Sequence, residues 1–181
     1  MARANASIAA PAYGRQSAPV EDSEEGTEVA IKEPGLTGSP NRGLAMTAGT
    51  MFVIWSFLGF FFAGDNHATL LGTNGGYLWN SFHVNPGMAA IWGIFGALLF
   101  IGGLGTVLGA RGMNLLVGIV CLFLGVYGFV FMTTGANIFA ANVTDCVFHL
   151  IVGAILVLTA LGADRQYLRA IRGEARVTRH V

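Results

Sequence analysis

Charge is scarce in this sequence. Asp, Glu, Lys and Arg make up 11% of its 181 residues, less than half the ~25% of an ordinary soluble domain. Ten bases balance ten acids and no segment of domain size is basic overall, which argues against a nucleic-acid binder. Two cysteines are too few to staple a small secreted domain. Only one of the five prolines, Pro86, lies beyond residue 42, so the remainder carries few helix breakers. What is present is apolar: 54% hydrophobic residues and 26 glycines, with a mean hydropathy of +0.61. The class left standing is a small integral membrane protein.

Residues 1–42 differ from the rest. They hold Pro11, Pro19, Pro34 and Pro40, and six acids: Glu21, Asp22, Glu24, Glu25, Glu28 and Glu33. Such a stretch buries too little apolar area to offset its ordering entropy and reads as a disordered acidic tail. It is not expected to be a signal peptide, because the apolar run starts only at Leu44 and no small-residue cleavage site follows closely. Residues 43–163 read as a four-helix transmembrane domain and 164–181 as a basic C-terminal tail.

Four stretches are almost free of charge: Leu44 to Ala63, Pro86 to Leu108, Met113 to Met132, and Val143 to Leu161, the last with only Asp145 in its first turn. A helix needs about 20 apolar residues to cross ~30 Å of hydrocarbon, so each fits one crossing. Barrel strands would alternate apolar and polar residues; Leu98-Leu99-Phe100-Ile101 does not. The fold class is therefore all-α, a four-transmembrane-helix bundle. Asn85-Pro86 marks the start of the second helix. Gly109-Ala110-Arg111-Gly112 is the expected break between the second and third. Asn142 or Thr144 caps the fourth, with Asp145 where the helix dipole favours an anion.

All ten basic residues fall on one side of this topology. Arg3, Arg15, Lys32 and Arg42 precede the first helix, Arg111 lies in the second link, and Arg165, Arg169, Arg172, Arg176 and Arg179 follow the fourth. The positive-inside rule then places both termini in the cytoplasm of a bacterial inner membrane, with His67, His83 and an Asn74-Gly75-Gly76 turn outside.

Helices in a bilayer associate by close fit. Ala89, Gly93 and Ala97 form a small-residue line on the second helix, continued by Gly105 and Gly109; Gly118, Gly125 and Gly128 lie near one face of the third. These serve packing within the bundle or a homo-oligomer face.

The polar residues that bear on chemistry are few. Asp145 and His149 are one turn apart and project from one side of the fourth helix. A polar group at that depth is a candidate site by default. It is either a structural Asp–His hydrogen bond, a ligand or proton-relay site, or a histidine reaching the headgroups. His83 lies at the mouth of the second helix, on the same side of the membrane. Two such histidines suit haem or pigment ligation in principle. His67 has no partner at a ligand spacing, and a zinc site would need three or four convergent ligands, so no metal is assigned. Cys121 and Cys146 lie at different depths and read as buried thiols. Asn142-Val143-Thr144 matches a glycosylation triplet but reads as a cap. Tyr77 and Trp79 fit an interfacial aromatic belt, and Phe60, Phe61 and Phe62 read as lipid-facing. The C-terminal arginines share one helical side, next to Leu168, Ile171 and Ala175, and suit anionic lipid headgroups; a solvated tail and contact with the acidic N-terminal tail are the other readings.

Laid over one another, Asn85, Ala89 and Gly93 match Asp145, His149 and Gly153 in spacing, suggesting two similar helical hairpins. The stretch from Asn137-Ile138-Phe139 through Asp145-Cys146-Val147-Phe148-His149 to Gly153 resembles the second-half signature of the bacterial four-helix membrane family called domain of unknown function 4383. Leu71-Gly72-Thr73-Asn74 to Gly93 resembles its first-half counterpart. The resemblance spans residues 44 to 163 and implies four crossings, a histidine in the first half where this chain has Ala89, and no assigned activity. No catalytic residue is expected. The expected role is structural or accessory, in a homo-oligomer or larger membrane complex, without a cofactor; the alternative is a haem- or pigment-binding subunit using His149 and His83. A transporter or enzyme fits less well, since only Cys121, Ser56 and the threonines are polar and deep.

Overall fold

The computed structural model describes residues 31–62 and 69–177, with side chains to residue 173. The N-terminal acids before Lys32, His67, and the side chains of Ala175, Arg176 and Arg179 lie outside the described residues. Four helices are long and apolar enough to cross a membrane: α1 (Pro40–Phe62), α2 (Pro86–Leu104), α3 (Val107–Phe131) and α4 (Val143–Gly162). An amphipathic helix, α5 (Arg165–Val177), follows. Between α1 and α2 stands a two-stranded antiparallel hairpin, β1 (Gly76–Leu78) and β2 (Phe82–Val84).

The four-helix bundle is as expected from the sequence; its joints differ. The second link consists of Gly105 and Thr106 alone, not the glycine run at 109–112. Thr106 explains this: its hydroxyl oxygen accepts from the backbone N–H of Gly109 at 3.0 Å, so α3 starts at Val107 and runs through Gly109 and Gly112 as ordinary helix. Glu33 reinforces that start by accepting from the N–H of Val107, where the helix dipole favours a carboxylate. The segment just before α1 thus docks on the bundle, and α1 begins at Pro40, inside the expected disordered tail. The hairpin turn is at Trp79 and Asn80, with φ of 51° and 55°, rather than at Asn74-Gly75-Gly76. Gly75 instead lies against the Val84 backbone, and Gly76 opens β1.

α1 packs on α2 and α3 on α4, with further contacts between α2 and α3 and between α1 and α3. The two helical hairpins repeat one another contact for contact, with Gly49 of α1 equivalent to Gly118 of α3 and Gly96 of α2 equivalent to Gly153 of α4. A Cβ on Gly49 would sit 3.2 Å from Leu99 Cβ and 3.3 Å from Gly96 O; one on Gly118 would sit 3.0 Å from Leu156 Cβ and from Gly153 O. Gly96 meets the Gly49 carbonyl and Val53; Gly153 meets the Gly118 carbonyl and Leu122. Gly59 faces Ala89, and Gly128 faces Cys146. Both halves start from the same end, so this is a parallel repeat. The match drawn from sequence is one helical turn out of register. It set Asn85 against Asp145, whereas both helices count from a capping asparagine, Asn85 and Asn142.

The seams also correct the small-residue lines. Ala89 and Gly93 do face α1, but the line continues through Gly96 and Gly103, while Ala97 is exposed. Gly105 lies in the link. Gly118, Gly125 and Gly128 all meet α4 or its leading residues, as their spacing suggested. The core between the halves is filled by Phe52, Met88, Trp92, Leu99, Val117, Cys121 and Leu156. The outside is apolar too: Phe57, Phe61, Ile101 and Leu158 are each more than 60% exposed, a pattern suited to lipid and not to water.

Candidate functional site

The residues singled out by sequence gather at the loop end of the bundle, where helix caps from one half reach into the other. Asn85 caps α2, its side-chain oxygen accepting from Met88 N–H at 2.8 Å, while its amide donates to Gly72 O at 3.0 Å and Ile138 O at 2.9 Å. Ile138 belongs to the α3–α4 link. Asn142 caps α4 by accepting from Asp145 N–H at 3.0 Å, and its amide donates to Ser81 O in the β-hairpin at 2.7 Å. Each capping asparagine therefore ties its own helix to a loop of the other half.

Asp145 sits at the third position of α4 and closes a capping box. Its Oδ2 accepts from the backbone N–H of Asn142 at 2.9 Å and of His83 at 3.2 Å. The latter bond pins β2 onto the start of α4. The residue is fully buried, and its Oδ1 has no partner among the described residues. The carboxylate is thus turned back toward the helix start, away from His149.

His149 lies one turn deeper, about 9 Å from the start of α4 at 1.5 Å per residue, and is 1% exposed. Its Nδ1 faces the backbone carbonyl of Asp145 at 2.7 Å, and its Nε2 faces Nε1 of Trp92 at 3.1 Å. An indole N–H only donates and a carbonyl only accepts. The ring therefore donates from Nδ1 and accepts at Nε2. The Asp–His bond anticipated from the sequence exists, but to the carbonyl and not the carboxylate, because the carboxylate is committed to the cap.

Trp92 is the residue that the sequence reading missed. It is fully buried and occupies in α2 the place that His149 occupies in α4, so the pair meets across the repeat axis. Counting from the two capping asparagines, rather than matching polar residues, would have revealed it. Around the pair stand Trp55, Phe148 and Phe82: the Trp55 ring lies 4.3 Å from Phe148, 4.8 Å from Phe82 and 5.8 Å from Trp92 between centroids.

His83 is not part of this cluster by its side chain. Its imidazole stacks on Tyr77 across the hairpin, centroids 4.7 Å apart, and only its backbone reaches Asp145. Both ring nitrogens of His149 are engaged, so neither is free for an iron or a pigment metal without displacing Trp92 or breaking the bond to the Asp145 carbonyl. Among the described residues no three His, Cys, Asp or Glu side chains converge as a metal site. Cys121 and Cys146 are free thiols. Tyr77 and Trp79 are half exposed at the hairpin, and Phe60, Phe61 and Phe62 are exposed as expected.

A second polar cluster occupies the opposite end. Asp164, between α4 and α5, accepts at Oδ2 from Ser39 Oγ at 3.0 Å, Asn41 Nδ2 at 2.7 Å and Asn41 N at 3.3 Å. Asn114 on α3 donates to Asn41 O at 2.9 Å. These groups fix the start of α1 against the end of α4.

No curated protein and no solved structure matches the chain. Residues 42–162 match the family model described as Domain of unknown function (DUF4383), in keeping with the repeat-spanning resemblance noted above, and the chain belongs to that family.

Proposed function

We propose that this protein is a structural or accessory component of a membrane, without catalytic activity of its own, whose bundle holds its buried polar groups for fixed geometry. The carrying observation is the closed hydrogen bonding of His149 between Asp145 and Trp92. A ligating imidazole needs one nitrogen for the metal, and a general base needs one facing its substrate; both nitrogens of His149 meet buried protein groups instead. On α1 the hydroxyls of Thr47 and Thr50 donate to carbonyls one turn back, at 3.0 and 2.8 Å. Four apolar spans with a lipid-suited exterior give a multi-pass membrane protein. Within it, Arg42, Arg111, Arg165, Arg169 and Arg172 share the end where α1 begins and α4 finishes. The positive-inside rule assigns that end to the cytoplasm, in a bacterial inner membrane. Partners of this reading are the bilayer and a larger complex or second copy.

Absorption spectroscopy of the purified protein tests the role. A colourless preparation agrees with it; a Soret or pigment band that His149→Ala abolishes would establish the haem- or pigment-binding alternative instead. Labelling of single cysteines tests the orientation. Ser81→Cys should react with an impermeant maleimide applied outside the cell, and Gly173→Cys only after lysis.

A further inference from the structure

The amphipathic helix α5 makes a cleft with the start of α3. It has a volume of about 260 Å³ and is lined by Arg111, Leu161, Arg165, Leu168, Arg169 and Arg172. Four of these six residues are arginines, and no acidic side chain is among them. Arg165, Arg169 and Arg172 are spaced four and three apart, so they share one helical side, and all three are exposed. Arg111 approaches from α3. Its Nε donates to Ala160 O at 2.7 Å, which anchors the guanidinium, and its two terminal nitrogens meet no acceptor among the described residues.

Depth narrows the ligand. Arg165 follows closely on Gly162, the last residue of α4, and Leu161 and Leu168 give the cleft an apolar margin. The arginines therefore lie at the level where hydrocarbon meets headgroups. Arginine is suited to phosphate through paired N–H donors, and basic pockets at the cytoplasmic ends of membrane helices take anionic headgroups. The volume is below the roughly 300–1,000 Å³ of pockets that enclose a whole drug-sized molecule. It suits one headgroup whose tails remain in the bilayer.

We infer that the cleft between α3 and α5 is a discrete binding site for the phosphate headgroup of an anionic phospholipid, with Arg111 as the fixed member and the α5 arginines closing over it. The inference rests on the membrane embedding proposed above.

The test uses full-length protein in phosphatidylcholine nanodiscs or mild detergent, with bound lipid counted by native mass spectrometry as phosphatidylglycerol is titrated in. Wild type should retain phosphatidylglycerol in preference to phosphatidylcholine, and inorganic phosphate should not displace it. Arg169→Gln should weaken retention by about fivefold, the worth of one arginine at an anionic surface. Arg111→Lys, which keeps the charge but loses the fork, should weaken it as well. Lys32→Gln, a charge removed outside the cleft, should not. Equal weakening by Lys32→Gln, unchanged binding in Arg111→Lys, absence of any lipid preference, or displacement by inorganic phosphate would each overturn the site. If alkaline carbonate releases the wild-type protein from membranes, the embedding itself fails; failure of the lipid preference in a carbonate-resistant protein removes the site alone.

Discussion

Arg42 and Arg111 perform the same task in the two halves of the bundle. Arg42 donates Nε to Gly103 O at 3.0 Å, and Arg111 donates Nε to Ala160 O at 2.7 Å. The two arginines are equivalent, and so are the two carbonyls, in the register that sets Gly49 on Gly118 and Gly96 on Gly153. Each arginine satisfies a carbonyl in the last turn of the neighbouring helix, which that helix cannot satisfy itself, and each places a cation where the helix dipole is negative. Replacing either by leucine should cost about 1.5–3 kcal/mol, the worth of a hydrogen bond to a charged group, measured as reversible unfolding in mixed micelles. Arg42 should be the costlier loss, because it also donates to Pro34 O and Leu104 O.

Trp92 and His149 form the corresponding pair at the other end. Trp92→Phe removes the donor and leaves Nε2 of a buried ring unpaired, which should cost ~1–3 kcal/mol beyond the change in packing. In a double-mutant cycle with His149→Leu, the combined loss should fall short of the sum of the two single losses, since both unpaired groups vanish together. Additive losses would show that the bond contributes nothing.

Glycine substitutions separate the seams from the surface. An alanine Cβ at Gly153 would lie 2.8 Å from Gly118 O and 2.9 Å from Leu122 N, both backbone atoms with no rotamer to yield. Gly153→Ala should therefore force α3 and α4 apart at a cost of ~1–3 kcal/mol. Gly112, exposed on α3 with nothing within 4 Å of its would-be Cβ, should accept alanine with no loss and a gain of about 0.5–1 kcal/mol from helix propensity. Thermal unfolding of the two variants in one detergent checks both signs.

Asp145 distinguishes geometry from charge. Asp145→Asn retains an oxygen for the N–H groups of Asn142 and His83 and should remain within about 1 kcal/mol of wild type, while Asp145→Ala abandons the cap and should lose ~1–2 kcal/mol or more. Detergent unfolding curves decide this. Equal damage by both would mean that the negative charge itself is required.

Much of the frame was legible in the sequence because charge-free stretches of bilayer length leave one physical solution. Asn85 was legible as a cap, and Asn142 as one of two candidates beside Thr144, for a similar reason: a short polar side chain before an apolar run satisfies the free N–H groups. The break between α2 and α3 was misplaced because glycine weakens a helix without ending one, whereas Thr106 begins one, and so short a link leaves little else to read. The β-hairpin was missed since such short strands carry no periodicity, and its turn uses Trp79 and Asn80 in place of glycine. Trp92 escaped notice for a different reason. A buried tryptophan in an apolar span reads as bulk, and its partnership with His149 depends on a register that only the helix starts define.

The clasp made by Asp164 carries a consequence for biogenesis. Ser39 and Asp164 stand at opposite ends of the four-span domain in sequence, and the carboxylate completes the start of the earliest span only after the latest one has emerged from the ribosome. Truncated or stalled chains leave Ser39 and Asn41 without this acceptor, so incomplete products lack the bonds that hold the start of α1 against the end of α4.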